Sequence, residues 1–441
     1  MASPLKIGIA GLGTVGASVV RLIERQRDAL AARCGRPIEV VAVSARSRGK
    51  KRDIGRKSPR WVADPITLAT DPEIDVFVEL MGGEGDPAKA AVSAALAAKK
   101  SVVTANKALL ARHGVALAAM AEKNQVALNF EAAVGGAIPI VKTLREGLTG
   151  NSLARIYGIL NGTCNYILTR MEQEKLAFAD CLKEAQRLGY AEADPTFDIE
   201  GHDTAQKLAI LASLAFGTKV DQSAVYVEGI SSIASEDLEW ADELGYRVKL
   251  LGVAVRTEKG IEQRVHPTMV PKDTAIAQVM GVTNAVTVDA DAITPITLVG
   301  PGAGGMATAS SVVSDIGDIA RGVRTAPFGR PAARLTVSKK APMQRHEGGY
   351  YIRLLAVDKP GTAATIAKRL AQQNISLESI VQRHRGERPH GGDTPGRSSE
   401  PVPVILITYA TTEDAVRKAL AAVDRDKVIL GKPQVIRIEK N

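Results

Sequence analysis

The chain opens on a short apolar run, K-I-G-I-A at Lys6 to Ala10, followed by the turn G-L-G-T-V-G at Gly11 to Gly16 and a helical pattern from Ala17 to about Arg27. An apolar strand, a glycine turn and a helix in that order predict the start of a βαβ unit. Strand-like apolar runs recur at Ile38 to Val43, Ile74 to Leu80, within S-V-V-T-A-N-K-A at Ser101 to Ala108, and at Val126 to Glu131. The alanine-rich stretch Pro87 to Lys100 reads as a helix between two of them. Strands alternating with helices predict an α/β Rossmann-type parallel sheet.

From Ile140 the pattern changes. A helix (I-V-K-T-L-R-E-G-L) and a strand at Arg155 to Leu160 run into N-G-T-C-N-Y-I-L, an acidic stretch at Gly189 to Lys207 and a helix. Apolar strands follow near Val248 to Val255, Glu262 to Val265 and Ala285 to Val288, so an α+β domain is expected to cover the first. G-P-G-A-G-G at Gly300 to Gly305 precedes a helix of small residues, expected to return to the first domain. Thr325 to Gly349 carries proline and glycine without periodicity and reads as a linker. The tail orders its elements βαββαβ, a ferredoxin-like module, with a polar insert at His384 to Glu400. The expected domains are 1–138 with about 303–325, then 139–302 for catalysis and oligomerisation, 326–349 as linker, and 350–441.

Composition narrows the function classes. Three cysteines (Cys34, Cys164 and Cys181) have no close pairing, and no run approaches 18 apolar residues, so a cytoplasmic protein without disulfides or a membrane span is expected. The strand and glycine turn begin so near Met1 that no signal peptide is expected. The net charge of +9 comes largely from one cluster: Arg46, Arg48, Lys50, Lys51, Arg52, Arg56, Lys57 and Arg60 against Asp53. Aromatics make up only 4% of the chain, too few for a base-stacking platform, so a phosphorylated small molecule fits this cluster better than nucleic acid.

The first turn points to a dinucleotide. Gly11 permits the tight turn, Gly13 lets the backbone approach a pyrophosphate, and Gly16 lets helix and strand pack closely. An NAD enzyme places Asp or Glu at the end of the second strand; here stand Ser44, Ala45 and Arg46. Arginine grips a 2′-phosphate that a carboxylate would repel, so NADP is expected over NAD, with Arg46 and Arg48 as its contacts. Lys107 follows a strand end and is aimed at the cleft. In G-Y-A-E-A-D-P-T-F-D-I-E-G-H-D-T-A-Q-K, five carboxylates crowd around a proline, and Asp203 and Lys207 fall at i, i+4 on one helical face.

G-L-G-T-V-G, T-A-N-K-A, F-E-A-A-V-G-G-A-I-P, L-N-G-T-C-N-Y-I-L, the acidic stretch and G-P-G-A-G-G, in this order from Lys6 to about Ala320, resemble homoserine dehydrogenase, which interconverts L-homoserine and L-aspartate 4-semialdehyde. The tail, with D-K-P-G-T at Asp358 to Thr362 and Q-N-I-S-L at Gln373 to Leu377, resembles an ACT domain. The resemblance implies that Gly11, Leu12, Gly13, Thr14, Val15, Gly16, Lys107 and Gly302 hold the cofactor. It implies that Glu192 and Asp198 bind the substrate ammonium, that Lys207 is the proton donor with Asp203 orienting it, and that Lys107 touches both cofactor and substrate; from the residues alone, either lysine could move the proton. It further implies a monovalent cation, sodium, wrapped by Glu131, Val134, Gly136 and Ile138, and an amino acid effector, threonine, at Asp358, Gly361, Asn374 and Ser376 across a paired interface. A homodimer or homotetramer is expected. Two other readings stay open here: a phosphorylating semialdehyde dehydrogenase with Cys164 as nucleophile, and a non-catalytic nucleotide and amino acid sensor.

Overall fold

The computed structural model describes residues 3–50, 52, 54, 59–382 and 401–439. The insert His384 to Glu400 lies outside the described residues, as do Lys51, Asp53, Arg56 and Lys57 of the basic cluster.

Six parallel strands form the first sheet: β1 (Leu5–Ala10), β2 (Ile38–Ser44), β3 (Arg60–Trp61), β4 (Val76–Glu79), β5 (Ser101–Thr104) and β6 (Leu128–Asn129). Their order is β3-β2-β1-β4-β5-β6, so the chain changes direction of travel between β1 and β4, and a crevice opens there beyond the strand ends. As expected, this is a Rossmann-type sheet. The helix Gly305–Ala320 packs on the helix Thr14–Arg25, burying Ala309, Val312, Val313 and Ile316 against Val19, Val20 and Ile23.

Two expected elements differ. The strand at Val126 to Glu131 shrinks to Leu128 and Asn129, and Glu131–Ala133 turn into a 3-10 helix. The reason is Glu131, whose N–H donates to Asp315 Oδ2 (2.9 Å) while its carboxylate accepts from the N–H groups of Val141 and Lys142 (2.8 Å each). The helix at Ile140 to Leu148 is α only over Ile140–Lys142 and widens to a π turn at Thr143–Gly147.

The second sheet has eleven strands. They are β7 (Leu153–Ile159), β8 (Val225–Val227), β9 (Tyr246–Thr257), β10 (Gly260–Pro271), β11 (Thr283–Ala290), β12 (Ile296–Pro301), β13 (Glu347–Ala356), β14 (Leu377–Gln382), β15 (Val402–Thr408), β16 (Thr411–Thr412) and β17 (Ile429–Ile438). The main path runs β12-β11-β7-β9-β10-β17-β13-β15-β14. The hairpin β9–β10 is longer than its apolar runs predict because its charged residues are buried in pairs: Arg264 meets both Glu262 and Glu439. The tail folds as the expected βαββαβ module, with helices Thr362–Ala371 and Glu413–Arg425 packed over its strands. Its last strand, β17, pairs in parallel with β10 (Thr268 with Arg437, Met269 with Ile438), so the tail and the central domain share one sheet.

The segment read as a linker joins the two, but it is fixed along its course. Phe328 is fully buried with its ring 5.3 Å from that of Phe130, and isolated bridges tie Thr336 to Thr218 and Lys340 to Ile261. Among the described residues no helix is long and apolar enough to cross a membrane.

Candidate active site

A cavity of about 660 Å³ lies where the first sheet meets the second. Val15, Leu80, Met81, Gly82 and Lys107 line it from one side, Asn161, Glu192, Asp198, Asp203 and Lys207 from the other, and Gly302 closes it.

Lys107 and Asp203 are each placed by a helix start. Asn106 caps the helix Lys107–Lys123, accepting from Leu109 N–H (3.1 Å), which sets Lys107 at its first position. Gly201, in the left-handed region at φ +83°, starts the helix His202–Phe216, with Asp203 in its first turn, where the helix dipole favours a carboxylate. Lys207 follows one turn later. Its Nζ donates to Asp203 Oδ2 (2.7 Å) and to the Leu160 carbonyl (2.7 Å), leaving the third of an ammonium's N–H donors for a substrate oxygen.

Asp203 is the hub. Lys107 Nζ stands 3.2 Å from its Oδ1, and Asn161 Nδ2 donates to its Oδ2 (2.9 Å). Burial acts to raise its pKa, but Lys207, Lys107 and the hydrogen bonds from Lys207 and Asn161 outweigh it and hold the carboxyl at about 2. Asp198, half-buried, takes a second N–H from Asn161 (2.8 Å). Its pKa moves up, through burial first and the neighbouring Asp203 second, against the pull of Asn161, Lys207 and Lys107. Glu192 is exposed at the cavity mouth.

The dinucleotide turn has the shape its glycines predict. A side chain at Gly11 would collide with the Leu80 backbone and one at Gly16 with the Gly11 carbonyl, whereas the space over Gly13 is open. That opening, at the N-terminus of the helix Thr14–Arg25, fits a pyrophosphate. Arg46 and Arg48 lie exposed just past β2, apart from the cavity.

A pattern for the homoserine dehydrogenase catalytic domain matches residues 139–316, one for the homoserine dehydrogenase NAD-binding domain matches 11–131, and an ACT domain matches 350–423. Homoserine dehydrogenase of Pseudomonas aeruginosa is 45% identical over 444 residues, covering 99% of each chain, and that of Neisseria gonorrhoeae is 44% identical over 442 residues, also covering 99% of each. The chain belongs to the homoserine dehydrogenase family. A crystal structure of homoserine dehydrogenase from Thiobacillus denitrificans superposes with a TM-score of 0.91 at 43% identity, covering 99% of this chain and 98% of that one. A hyperthermophilic archaeal homoserine dehydrogenase in complex with NADPH superposes at 0.61 and 27% identity, covering 71% of this chain and 97% of that one.

Membership in this oxidoreductase family removes the two rival readings, and the geometry agrees for Cys164. That thiol is fully buried with Sγ 3.2 Å from the Asp198 carbonyl, and burial, then Asp198 and Asp203, push its pKa well up, the reverse of an activated nucleophile.

The positions expected to hold a cation and an effector are arranged less directly. Glu131, Val134, Gly136 and Ile138 form one buried turn, but the Glu131 carboxylate is taken by Val141 and Lys142 and the Ile138 carbonyl accepts from Ile140 N–H (2.8 Å). Asp358 and Gly361 precede the helix Thr362–Ala371, while Asn374 and Ser376 follow it, about 15 Å apart for a ten-residue helix. Within one chain these four positions do not meet.

Sequence reasoning missed three polar contributors. Asn161 bridges Asp198 and Asp203 while capping the helix Gly162–Glu174 through Cys164 N–H (2.9 Å); an Asn just before that helix is the cap signal that marked it. Glu79, fully buried, accepts from Met81 and Gly82 N–H (2.7 and 3.1 Å) and from Thr104 Oγ1 (2.6 Å), shaping the cavity wall beyond β4. Asn284 lines the cavity against Gly302, and nothing in its own segment announced it.

Proposed function

We propose that the protein oxidises L-homoserine to L-aspartate 4-semialdehyde, and runs the reverse reduction, in the cytoplasm with NADP preferred over NAD. The observation that carries this is the convergence of Lys207, Asp203, Lys107 and Asn161 on a cavity that opens beside the dinucleotide turn.

When bound, the nicotinamide cofactor supplies or accepts the hydride. Gly11, Leu12, Gly13, Thr14, Val15 and Gly16 hold its pyrophosphate, Gly302 closes on it, and Arg46 and Arg48 meet the 2′-phosphate. Lys207, held by Leu160 and Asp203, gives a proton to the aldehyde oxygen as the alcohol forms, and in the other direction its neutral amine accepts the hydroxyl proton. Lys107 steadies the same oxygen and the cofactor. Glu192 and Asp198 take the substrate ammonium.

The nucleotide-binding unit then comprises 1–138 with about 303–325, the catalytic unit 139–302, and the tail 350–441 a regulatory module reached through 326–349. A sodium ion in the turn Glu131 to Ile138 would rest on backbone carbonyls, with Glu131 contributing its carbonyl and shaping the turn through its side chain. Threonine is the effector, bound by Asp358 and Gly361 of one chain with Asn374 and Ser376 of another. The edge strands β12 and β14, where Val299 and Ile380 are exposed, favour a homodimer or homotetramer.

Steady-state homoserine oxidation with each cofactor, with and without threonine, tests this reading. Turnover with NADP that exceeds that with NAD and falls on adding threonine is expected; no reduction of either cofactor in the presence of homoserine would overturn it.

A further inference from the structure

Lys249 is the fourth residue of β9 and is 1% exposed, yet among the described residues no carboxylate touches its ammonium. Its partners are the Val279 carbonyl (2.6 Å), Asn165 Oδ1 (3.1 Å) and Met280 Sδ (3.4 Å). The charged groups nearest to it, Glu172 on the helix Gly162–Glu174 and Arg247 on its own strand, are paired with each other at 2.7 Å. A cation is buried among neutral acceptors only at a cost, and a methionine would fill the same space without one.

The cation completes a clamp. Asn165, whose Oδ1 it meets, turns its Nδ2 to the carbonyls of Val279 (3.2 Å), Gly281 (2.9 Å) and Thr283 (3.1 Å). Thr169 Oγ1 accepts from Gly281 N–H (3.0 Å). The carbonyls of Val279 and Gly281, in the irregular stretch, and that of Thr283, where β11 begins, are thus met by two side chains.

That segment reaches the catalytic cavity at two points. Val282 and Asn284 line it, and the Val282 carbonyl presses on Gly162, where a Cβ would lie 2.7 Å away. Gly162 is next to Asn161, which bonds Asp198 and Asp203. The Asn284 side chain fills the space beside Gly302 that a Cβ there would need, and the Gly302 carbonyl in turn abuts Gly136.

We propose that Lys249 and Asn165 are positioning residues for substrate and cofactor binding, fixing the segment Val279 to Asn284 so that Asn284 and Gly302 close the cavity. Lys207 is held directly by the Leu160 carbonyl and Asp203, and the clamped segment reaches that pair only through Gly162 and Asn161, so losing the clamp should weaken binding more than turnover.

The inference rests on the reaction proposed above, and wild-type enzyme assayed alongside separates the two: a wild type without homoserine turnover overturns the reaction, while NADPH titration still reads the clamp. For Lys249→Met, the KM for homoserine and the Kd for NADPH should each rise about tenfold with kcat within about threefold of wild type, and Lys249→Arg should recover most of the loss. Unchanged KM and Kd in the methionine variant, or a fall in kcat alone, would overturn the proposal. Should that variant not fold, the pH profile decides. Burial lowers the Lys249 pKa to about 7, so the wild-type KM should climb between about pH 6 and about pH 9 while that of Lys249→Arg stays flat; equal profiles would overturn the clamp.

Discussion

Asp203 and Lys207 are four residues apart on one helix, and their side chains meet at 2.7 Å with Asp203 almost wholly buried. A carboxylate so placed both orients the lysine and stabilises the fold.

The sign of its pH dependence follows. Its folded pKa of about 2 lies below the unfolded value, so it contributes stability above about pH 4 that is lost as pH falls toward 2. For Asp203→Asn, unfolding free energy at pH 7 should drop by about 2 kcal/mol, and the gap to wild type should close near about pH 2. Urea melts across this range measure it, and a gap that persists in acid would assign the loss to packing. Turnover should fall about a hundredfold as Lys207 loses its partner.

Gly13 and Gly16 stand three residues apart in one turn and should respond differently to alanine. Gly16→Ala drives a methyl into the Gly11 carbonyl and should cost about 1–3 kcal/mol of stability. Gly13→Ala meets only open space, so its thermal midpoint should stay near wild type while NADPH binding weakens. Calorimetry and cofactor titration on both variants check the contrast.

Arg437 is buried on β17 between Glu228 (2.5 Å) and Glu413 (2.8 Å). Arg437→Met would leave Glu228 without its cation and Glu413 with Arg417 alone, and a loss of about 3 kcal/mol is expected in chemical denaturation. Because β17 joins the tail to β10, limited proteolysis should then cut between the two modules sooner. A loss under about 1 kcal/mol would mean that solvent reaches this cluster.

What the sequence disclosed was local. The strand, glycine turn and helix at Lys6 to Arg27 follow from neighbours in the chain, as does the i, i+4 pairing of Asp203 with Lys207. The tail's βαββαβ order was legible from its periodicity for the same reason. Contacts across long separations were not: Lys107 reaches Asp203 only because β5 and the helix His202–Phe216 end at one cavity. Nothing near Lys249 in the chain points to the carbonyls it meets, and the parallel pairing of β17 with β10 joins residues far apart in sequence. The clipped strand at Glu131 is the same lesson reversed, a local apolar pattern overridden by Asp315.

Glu192 and Lys207 separate binding from chemistry. Glu192→Ala should raise the KM for homoserine with little change in kcat, because this side chain stands at the cavity mouth and touches no proton-handling group.

The most direct test is Lys207→Ala, with kcat for homoserine oxidation and the Kd for NADPH measured on the same preparation. A fall in kcat of about a thousandfold with NADPH binding within about twofold of wild type is the expected result. Turnover within about tenfold of wild type would contradict the assignment of the proton to Lys207.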